Sequence, residues 1–309
     1  MNRLVTVTLN PAIDRTVEVA APLAGTVRCP PARVLPGGKG VNVARAARSL
    51  GIHVATTGVA GGHSGRWLVE SLEREGLSPD FVLGGPELRV TVTLYGGQLP
   101  ETIIVEDAQP QRPELFETLG ERITTRHADA ALLVVAGSVP AGMPADACAR
   151  LTRAARAAGV PVLVDTAGPQ LRHALSEEPD VVKVTVDEAR AALNADDDAS
   201  PADLVRTLIA RGAGSAVVTA GSTGAVAGDG TMIVMATPPR IASPRAIGSG
   251  DAFSAGLVAQ RMAGAALGDA LRTATAAGAA NAMTTAAGLI DLRTVIELER
   301  QIGVQHVTH

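Results

Sequence analysis

Arg245–Gly256 reads RAIGSGDAFSAG. Gly248-Ser249-Gly250 can adopt the positive-φ turn that lines up successive backbone N–H groups. The run from Asp251 onward is helical in pattern, and a helix opening there adds the positive end of its dipole. Together these make an anion site with a carboxylate directly beside it. The local pattern leaves two readings open. Asp251 is either an N-capping residue after a glycine turn, or a proton acceptor next to a reacting group held by that turn. A second glycine turn, Gly37-Gly38-Lys39-Gly40, also opens a helix. It is not a Walker A loop: Gly40 stands where Ser or Thr should follow the lysine, and Arg33 where the first Gly belongs.

Outward from these turns the chain reads as α/β. RLVTVTLN sets Val5, Val7 and Leu9 on one side and reads as a strand. Thr16–Ala20 and Ala32–Pro36 are short strand candidates. VNVARAARSLG carries Val43, Ala46, Ala47 and Leu50 on one helix face, and Gly51 closes it. HVATTGVAG reads as a strand and SGRWLVESLEREG as a helix ended by Gly76. LRVTVTLYG and ETIIVED are two more strands, joined through Gly96, Gly97 and Pro100. From about residue 113 helices alternate with the apolar runs ALLVVAG, VPVLVDT, DVVKVT and SAVVTAG. Such runs suit strands buried on both faces, and with helices between them they imply a parallel sheet. Asp251–Ala263, Gly268–Thr284 and Leu292–Ile302 read as helices, Asn194–Pro201 as a polar loop, and HVTH at the end as frayed. The alternating strands at about 14–36 and 88–106 do not fit a βαβ series. They predict a small sheet projecting from one 1–309 body, covering a cleft or pairing with another subunit.

Hydrophobic residues are 46% of the chain but aromatics only 2%, so the core is built from Ala, Val and Leu. Net charge is −4 with no basic cluster, which argues against a nucleic-acid partner. Cys29 and Cys148 are the only cysteines and read as reduced thiols, not a disulfide or metal framework. No apolar run reaches the ~18 residues a membrane span needs. The N-terminus lacks a signal-peptide pattern, so a cytoplasmic protein is expected.

The motifs taken in order carry a resemblance. TLNPAID, PGGKGVNVARAARSLG, LRVTVTL, AGSVPAGMP, VLVDTAGPQL, VKVTVDEA, GSGDAFSAGL and AAGAANAM occur in the sequence of the ribokinase-like, PfkB-type sugar kinases. The chain resembles in particular the 1-phosphofructokinase and tagatose-6-phosphate kinase branch. The resemblance runs from about Leu4 to Leu292. It implies a three-layer αβα fold with a mostly parallel central sheet and a projecting β-sheet lid, with ATP and Mg²⁺ as cofactors.

The resemblance also implies roles. Asp251 is the base that deprotonates a sugar hydroxyl, and the N–H groups of Ile247, Gly248, Ser249 and Gly250 form the anion hole. Asp14, Gly37, Gly38 and Asn42 hold the sugar, while Lys39, Arg28, Arg89 and Ser138 hold its phosphate. Arg28 and Arg89 are expected on the projecting strands. Lys183, Thr185, Thr219, Gly221, Gly224 and Asn281 fall on the ATP side, with Asn281 bordering the adenine. Glu188 acts on Mg²⁺ through its water shell. The chain departs from the family at Val184-Thr185, which stand where Pro-Asn is usual.

The implied reaction is ATP-dependent phosphorylation of a ketohexose phosphate, foremost D-fructose 1-phosphate. Tagatose 6-phosphate and fructose 6-phosphate are the near alternatives. A nucleoside or unphosphorylated-sugar kinase would have less use for Lys39, Arg28 and Arg89. A sugar-phosphate-binding regulator would not need Asp251 beside the glycine turn. A homodimer through the projecting strands is expected.

Overall fold

The first strand, β1 (Arg3–Thr8), is buried on both faces: Leu4 packs into one apolar cluster, Val5 and Val7 into another. Side chains alternate across a strand, so a run without a polar face needs a covering layer on each side. The same division recurs where Leu132 and Val134 face one way and Leu133 and Val135 the other. Helices supply both layers. Lys39–Ser49, Gly62–Arg74, Ser249–Met262, Leu267–Ala282 and Leu292–Glu299 cover the Leu4 side. Pro113–Arg126, Ala147–Ala157, Gly168–Leu175, Val186–Leu193 and Pro201–Ala210 cover the other. The result is the αβα sandwich expected from the sequence.

The computed structural model describes residues 3–19, 25–96, 99–242 and 244–307. After β1 the strands are β2 (Ala12–Glu18), β3 (Arg33–Gly37), β4 (His53–Gly61), β5 (Ser78–Pro79), β6 (Val82–Gly85), β7 (Arg89–Gly96) and β8 (Leu99–Val105). They continue as β9 (Leu132–Ala136), β10 (Val162–Asp165), β11 (Val181–Thr185), β12 (Ser215–Thr219), β13 (Ala225–Gly228), β14 (Ile233–Ala236) and β15 (Val304–His306). The main sheet has eleven strands in the order β15-β14-β13-β12-β11-β10-β9-β1-β4-β5, with β6 also paired to β4. Pairing is parallel from β12 through β4, and β13, β14 and β15 add an antiparallel edge. The second sheet, β3-β2-β7-β8, is the projecting lid.

Some boundaries differ from the sequence reading. The lid strand begins at Ala12, and residues 25–32 form an irregular connection rather than a strand. Pro30 and Pro31 lack the N–H that a ladder requires. The tail does not simply fray: His306 pairs with Val234, and the Val307 N–H donates to the Ile233 carbonyl at 2.9 Å. His309 and its neighbour at 308 lie outside the described residues. Strands β13 to β15 are only three or four residues long, too short for alternation to stand out. Among the described residues no helix is long and apolar enough to cross a membrane.

The alanine-rich helices solve the problem of a core with few aromatics. Ser249–Met262 and Leu267–Ala282 pack through small residues, so their backbones come close. A Cβ on Gly256 would lie 2.8 Å from Ala274 Cα and 2.9 Å from the Thr273 carbonyl oxygen. Ala277 Cβ lies 3.0 Å from the same point. Ala277→Leu should therefore overpack it and cost roughly 1–3 kcal/mol in urea unfolding. An unchanged midpoint would show that the seam has slack.

Candidate active site

Parallel strands end together, and ligands of such sheets bind beyond their carboxyl ends. At that edge lies a cavity of about 430 Å³, lined among others by Thr8, Asn10, Lys39, Arg89, Ser138 and Glu188. The projecting sheet supplies Arg89, the first residue of β7.

The glycine turn has the geometry its sequence suggests. Gly248 is the helix N-cap with φ of 74°, and a Cβ there would lie 2.4 Å from Ala287 Cα. The N–H groups of Ile247, Gly248, Gly250 and Asp251 have no partner among the described residues. Ser249 differs from expectation. Its N–H donates to the Ala246 carbonyl at 3.2 Å, which closes the turn and removes that amide from the anion site. Asp251 is not a cap, since no side chain caps this helix. It is buried, 7% exposed, and Oδ2 accepts from Asn42 Nδ2 at 2.9 Å. Burial, reinforced by the negative charge of Asp165, pushes its pKa up to about 6 against the opposing pull of Lys39, Asn42 and Lys183. A carboxylate with that affinity is poised to take and release a proton near neutrality.

Asp165, at the end of β10, is fully buried and joins three segments. Lys39 Nζ lies 3.0 Å from Oδ1, Lys183 Nζ 3.1 Å from Oδ2, and Ser254 Oγ donates to Oδ2 at 2.9 Å. Burial opposes its ionisation, but the two ammonium groups outweigh it and hold the carboxyl well below the usual range. Lys183 sits directly behind the anion turn: a Cβ on Gly250 would lie 3.0 Å from its Nζ. Lys39 also approaches Glu188 Oε1 at 3.4 Å, so it reaches the cavity with its charge largely balanced. The three carboxyls raise its proton affinity despite burial, Asp165 most strongly.

Thr185 and Glu188 form a capping box on the Val186–Leu193 helix. Thr185 Oγ1 accepts from Glu188 N at 3.2 Å, and Thr185 N donates to Glu188 Oε2 at 2.8 Å. Thr and Asn both serve as N-caps, which is why the substitution keeps the local fold. Thr219 ends β12, its hydroxyl donating to the Val184 carbonyl at 3.3 Å. Beyond it Gly221 faces open space, while Gly224, at φ of 114°, lets β13 approach Ala236.

On the lid side Asp14 lies on the bare Cα of Gly37, where a Cβ would come within 2.1 Å of its carboxyl carbon. Burial raises its pKa, with Arg45, Arg89 and a Thr91 hydrogen bond working against the rise. Gly38, with φ of 105°, opens the Lys39–Ser49 helix over Thr8 and Pro11. Asn10 Nδ2 donates to Ser138 Oγ at 2.9 Å, and Arg89 Nη2 reaches the Asn10 carbonyl at 3.5 Å. Arg89 Nε is buried without a partner among the described residues.

Two expected site residues are placed elsewhere. Arg28 is exposed in the 25–32 connection, neither on a strand nor in the cavity wall. Asn281 spends both ends of its amide internally: Nδ2 donates to the Ile247 carbonyl at 2.7 Å, and Oδ1 accepts from Gly288 N at 2.8 Å. It braces the glycine turn from behind, with one N–H of its amide not engaged by these bonds. Three residues escaped the sequence reading: Asp165, Asn10 and Arg45. A lone carboxylate closing the apolar run VPVLVDT was the available signal for Asp165. Arg45 was signalled by a charge one turn from Asn42 on a helix rich in Val and Ala.

Known proteins resemble this chain along most of its length. The sequence model described as "pfkB family carbohydrate kinase" matches residues 7–293. A 1-phosphofructokinase of Xanthomonas campestris pv. campestris is 34% identical over 265 residues, covering 82% of this chain and 83% of its own. A 1-phosphofructokinase of Rhodobacter capsulatus is 34% identical over 289 residues, covering 89% and 88%. The crystal structure of phosphofructokinase-2 from Escherichia coli in complex with substrates and products superposes with a TM-score of 0.89 at 26% identity, covering 97% of this chain and 99% of that one.

The raised affinity of Asp251 has a consequence for stability. A carboxyl whose folded pKa exceeds the unfolded value of 3.8 favours the protonated fold. Its contribution is therefore present below pH 3.8 and lost as pH rises through about 6. Asp251→Asn should thus be more stable than the parent at pH 8, by on the order of 3 kcal/mol at most, and little different near pH 4. Calorimetric melting at the two pH values checks this.

Proposed function

Because the chain belongs to the pfkB family of carbohydrate kinases, we propose that it transfers the γ-phosphoryl group of ATP to a hydroxyl of D-fructose 1-phosphate, giving fructose 1,6-bisphosphate and ADP. The observation that carries this reading is the unpaired amides of Gly248, Gly250 and Asp251 at the same helix end as a buried, proton-avid carboxylate. The sugar oxygen attacks the γ-phosphorus, the bond to the ADP oxygen breaks, and Asp251 Oδ1 takes the hydroxyl proton. The amides and Lys183 behind them stabilise the charge on the phosphoryl oxygens.

Asp14 holds the sugar hydroxyls, and Arg89, Ser138 and Asn10 take its existing phosphate. The unpartnered Nε of Arg89 supports that role. Lys39 adds its remaining donor, and the bare backbone at Gly37 and Gly38 admits the ring. Thr185, Thr219, Gly221 and Gly224 border the nucleotide. Mg²⁺ would be carried by phosphate oxygens and water, with Glu188 at the cavity accepting from the metal's waters. When bound, such a cation neutralises phosphate charge.

The outer face of the lid supports a homodimer. Val92, Leu94 and Ile104 share that face by register with Val34 and Arg15, and Val34 and Ile104 are 38% and 53% exposed. A sheet face with these apolar groups around one arginine is favoured by a cover, and a second copy of the lid supplies one.

With ATP and Mg²⁺, fructose 1-phosphate should give the highest kcat/KM in a panel including fructose 6-phosphate, tagatose 6-phosphate and ribose. A preference for either 6-phosphate would move the assignment to that acceptor, and a preference for ribose would remove the phosphate pocket altogether. Asp251→Asn should lower kcat at least ~10²-fold, and Arg89→Ala should raise KM for the sugar phosphate about tenfold or more. Val92→Glu should convert a dimer to a monomer in sedimentation analysis; a monomeric parent would refute the lid interface.

A further inference from the structure

We propose that Arg45 is a positioning residue for the base: its guanidinium fixes which way the Asn42 amide faces, and so holds Asp251 with one oxygen committed and the other free. The inference rests on the reading of Asp251 as base.

Arg45 lies in the Lys39–Ser49 helix with its side chain 6% exposed. Nε and Nη2 grip Glu75 at 2.7 and 3.2 Å, and Nη2 also donates to the Pro36 carbonyl at 2.6 Å. Nη1 donates to the Ala287 carbonyl and to Asn42 Oδ1, both at 3.1 Å. A guanidinium has five N–H donors, and here every one has an acceptor. The acceptors come from separate parts of the site: lid strand β3, the segment packed against Gly248, the end of the Gly62–Arg74 helix, and Asn42 one turn back. The cation is therefore clamped from several directions.

A clamped guanidinium can only donate, so it decides the orientation of the amide it meets. Asn42 must turn Oδ1 toward Arg45, which leaves Nδ2 to donate to Asp251 Oδ2 at 2.9 Å. The reversed amide would set a carbonyl oxygen against a carboxylate and a second N–H donor against a cation. With Oδ2 held, Oδ1 is the oxygen available for the substrate proton. The charged groups facing Asp251 are Asp165 from β10, Lys39 from the helix that carries Asn42, and Lys183 from β11. None of them is bonded to Arg45, so the amide link can be tested separately from them. A lysine at 45 keeps a positive charge near Asp14 but has no planar fork.

The test is the pH dependence of kcat and kcat/KM for Arg45→Lys, Asn42→Ala, their double variant and Asp251→Asn. Arg45→Lys should lower kcat about tenfold, as a loosened catalytic group does, and shift the acid limb of the profile upward while KM for ATP stays within about twofold. Asn42→Ala should shift the limb the same way, and the double variant should add little, because both act through one bond. A folded Arg45→Lys enzyme with unchanged kcat and limb, or fully additive effects, would overturn the proposal. If Arg45→Lys does not fold, Glu75→Gln loosens one grip and keeps the arginine. It should shift the limb less but in the same direction, and no shift would overturn the proposal as well. Asp251→Asn separates the two inferences. Retained turnover there defeats the base assignment, whereas lost turnover with an insensitive Arg45→Lys defeats only the positioning role.

Discussion

The buried charge cluster around Asp165 is the constraint on which the site depends. A carboxylate taken wholly out of water is costly unless cations and donors surround it. Lys39, Lys183 and Ser254 do so, and they come from the first glycine turn, from strand β11 and from the helix that carries the base. Satisfying one acid thus fixes three segments relative to one another. Burial raises the proton affinity of Asp251 and the charge of Asp165 adds to it, so the structural anchor also tunes the acid–base group.

Small residues provide the other half of the architecture. With so few aromatics, the core reaches density by close approach of backbones rather than by large side chains filling gaps. Gly256 against Ala274, Gly288 against the Asn42 backbone and Gly248 against Ala287 all mark places where a Cβ would collide. These approaches bring Asn42 and Asp251, 209 positions apart in the chain, to within a hydrogen bond. Packing and catalysis are joined at this seam because the helix that buries Ala252 and Phe253 also presents Asp251.

Sequence reasoning was strongest where a local rule applied and weakest where a residue's partner lay far away in the chain. Gly248 and the helix start were legible because positive φ and helix capping are short-range. Asn281 was legible only as a polar residue in an alanine-rich helix, a signal that does not say that its amide meets the backbone at Ile247 and Gly288. Arg28 was misplaced because its strand was extrapolated through Pro30 and Pro31. Thr185 departs from the Asn usual at that place, and its hydroxyl caps a helix in the way an Asn would.

Taken alone, the chain determined the order of the helices and of the longer strands, the two-sided burial of the central sheet and the two glycine turns, because periodicity and backbone freedom are written in neighbouring residues. Only the folded structure decided which amides of the second turn stay unpaired, which lysine charges are balanced by Asp165, and which arginine faces the cavity. Hydrogen-bond satisfaction and desolvation are properties of the surroundings, and distant segments supply those surroundings.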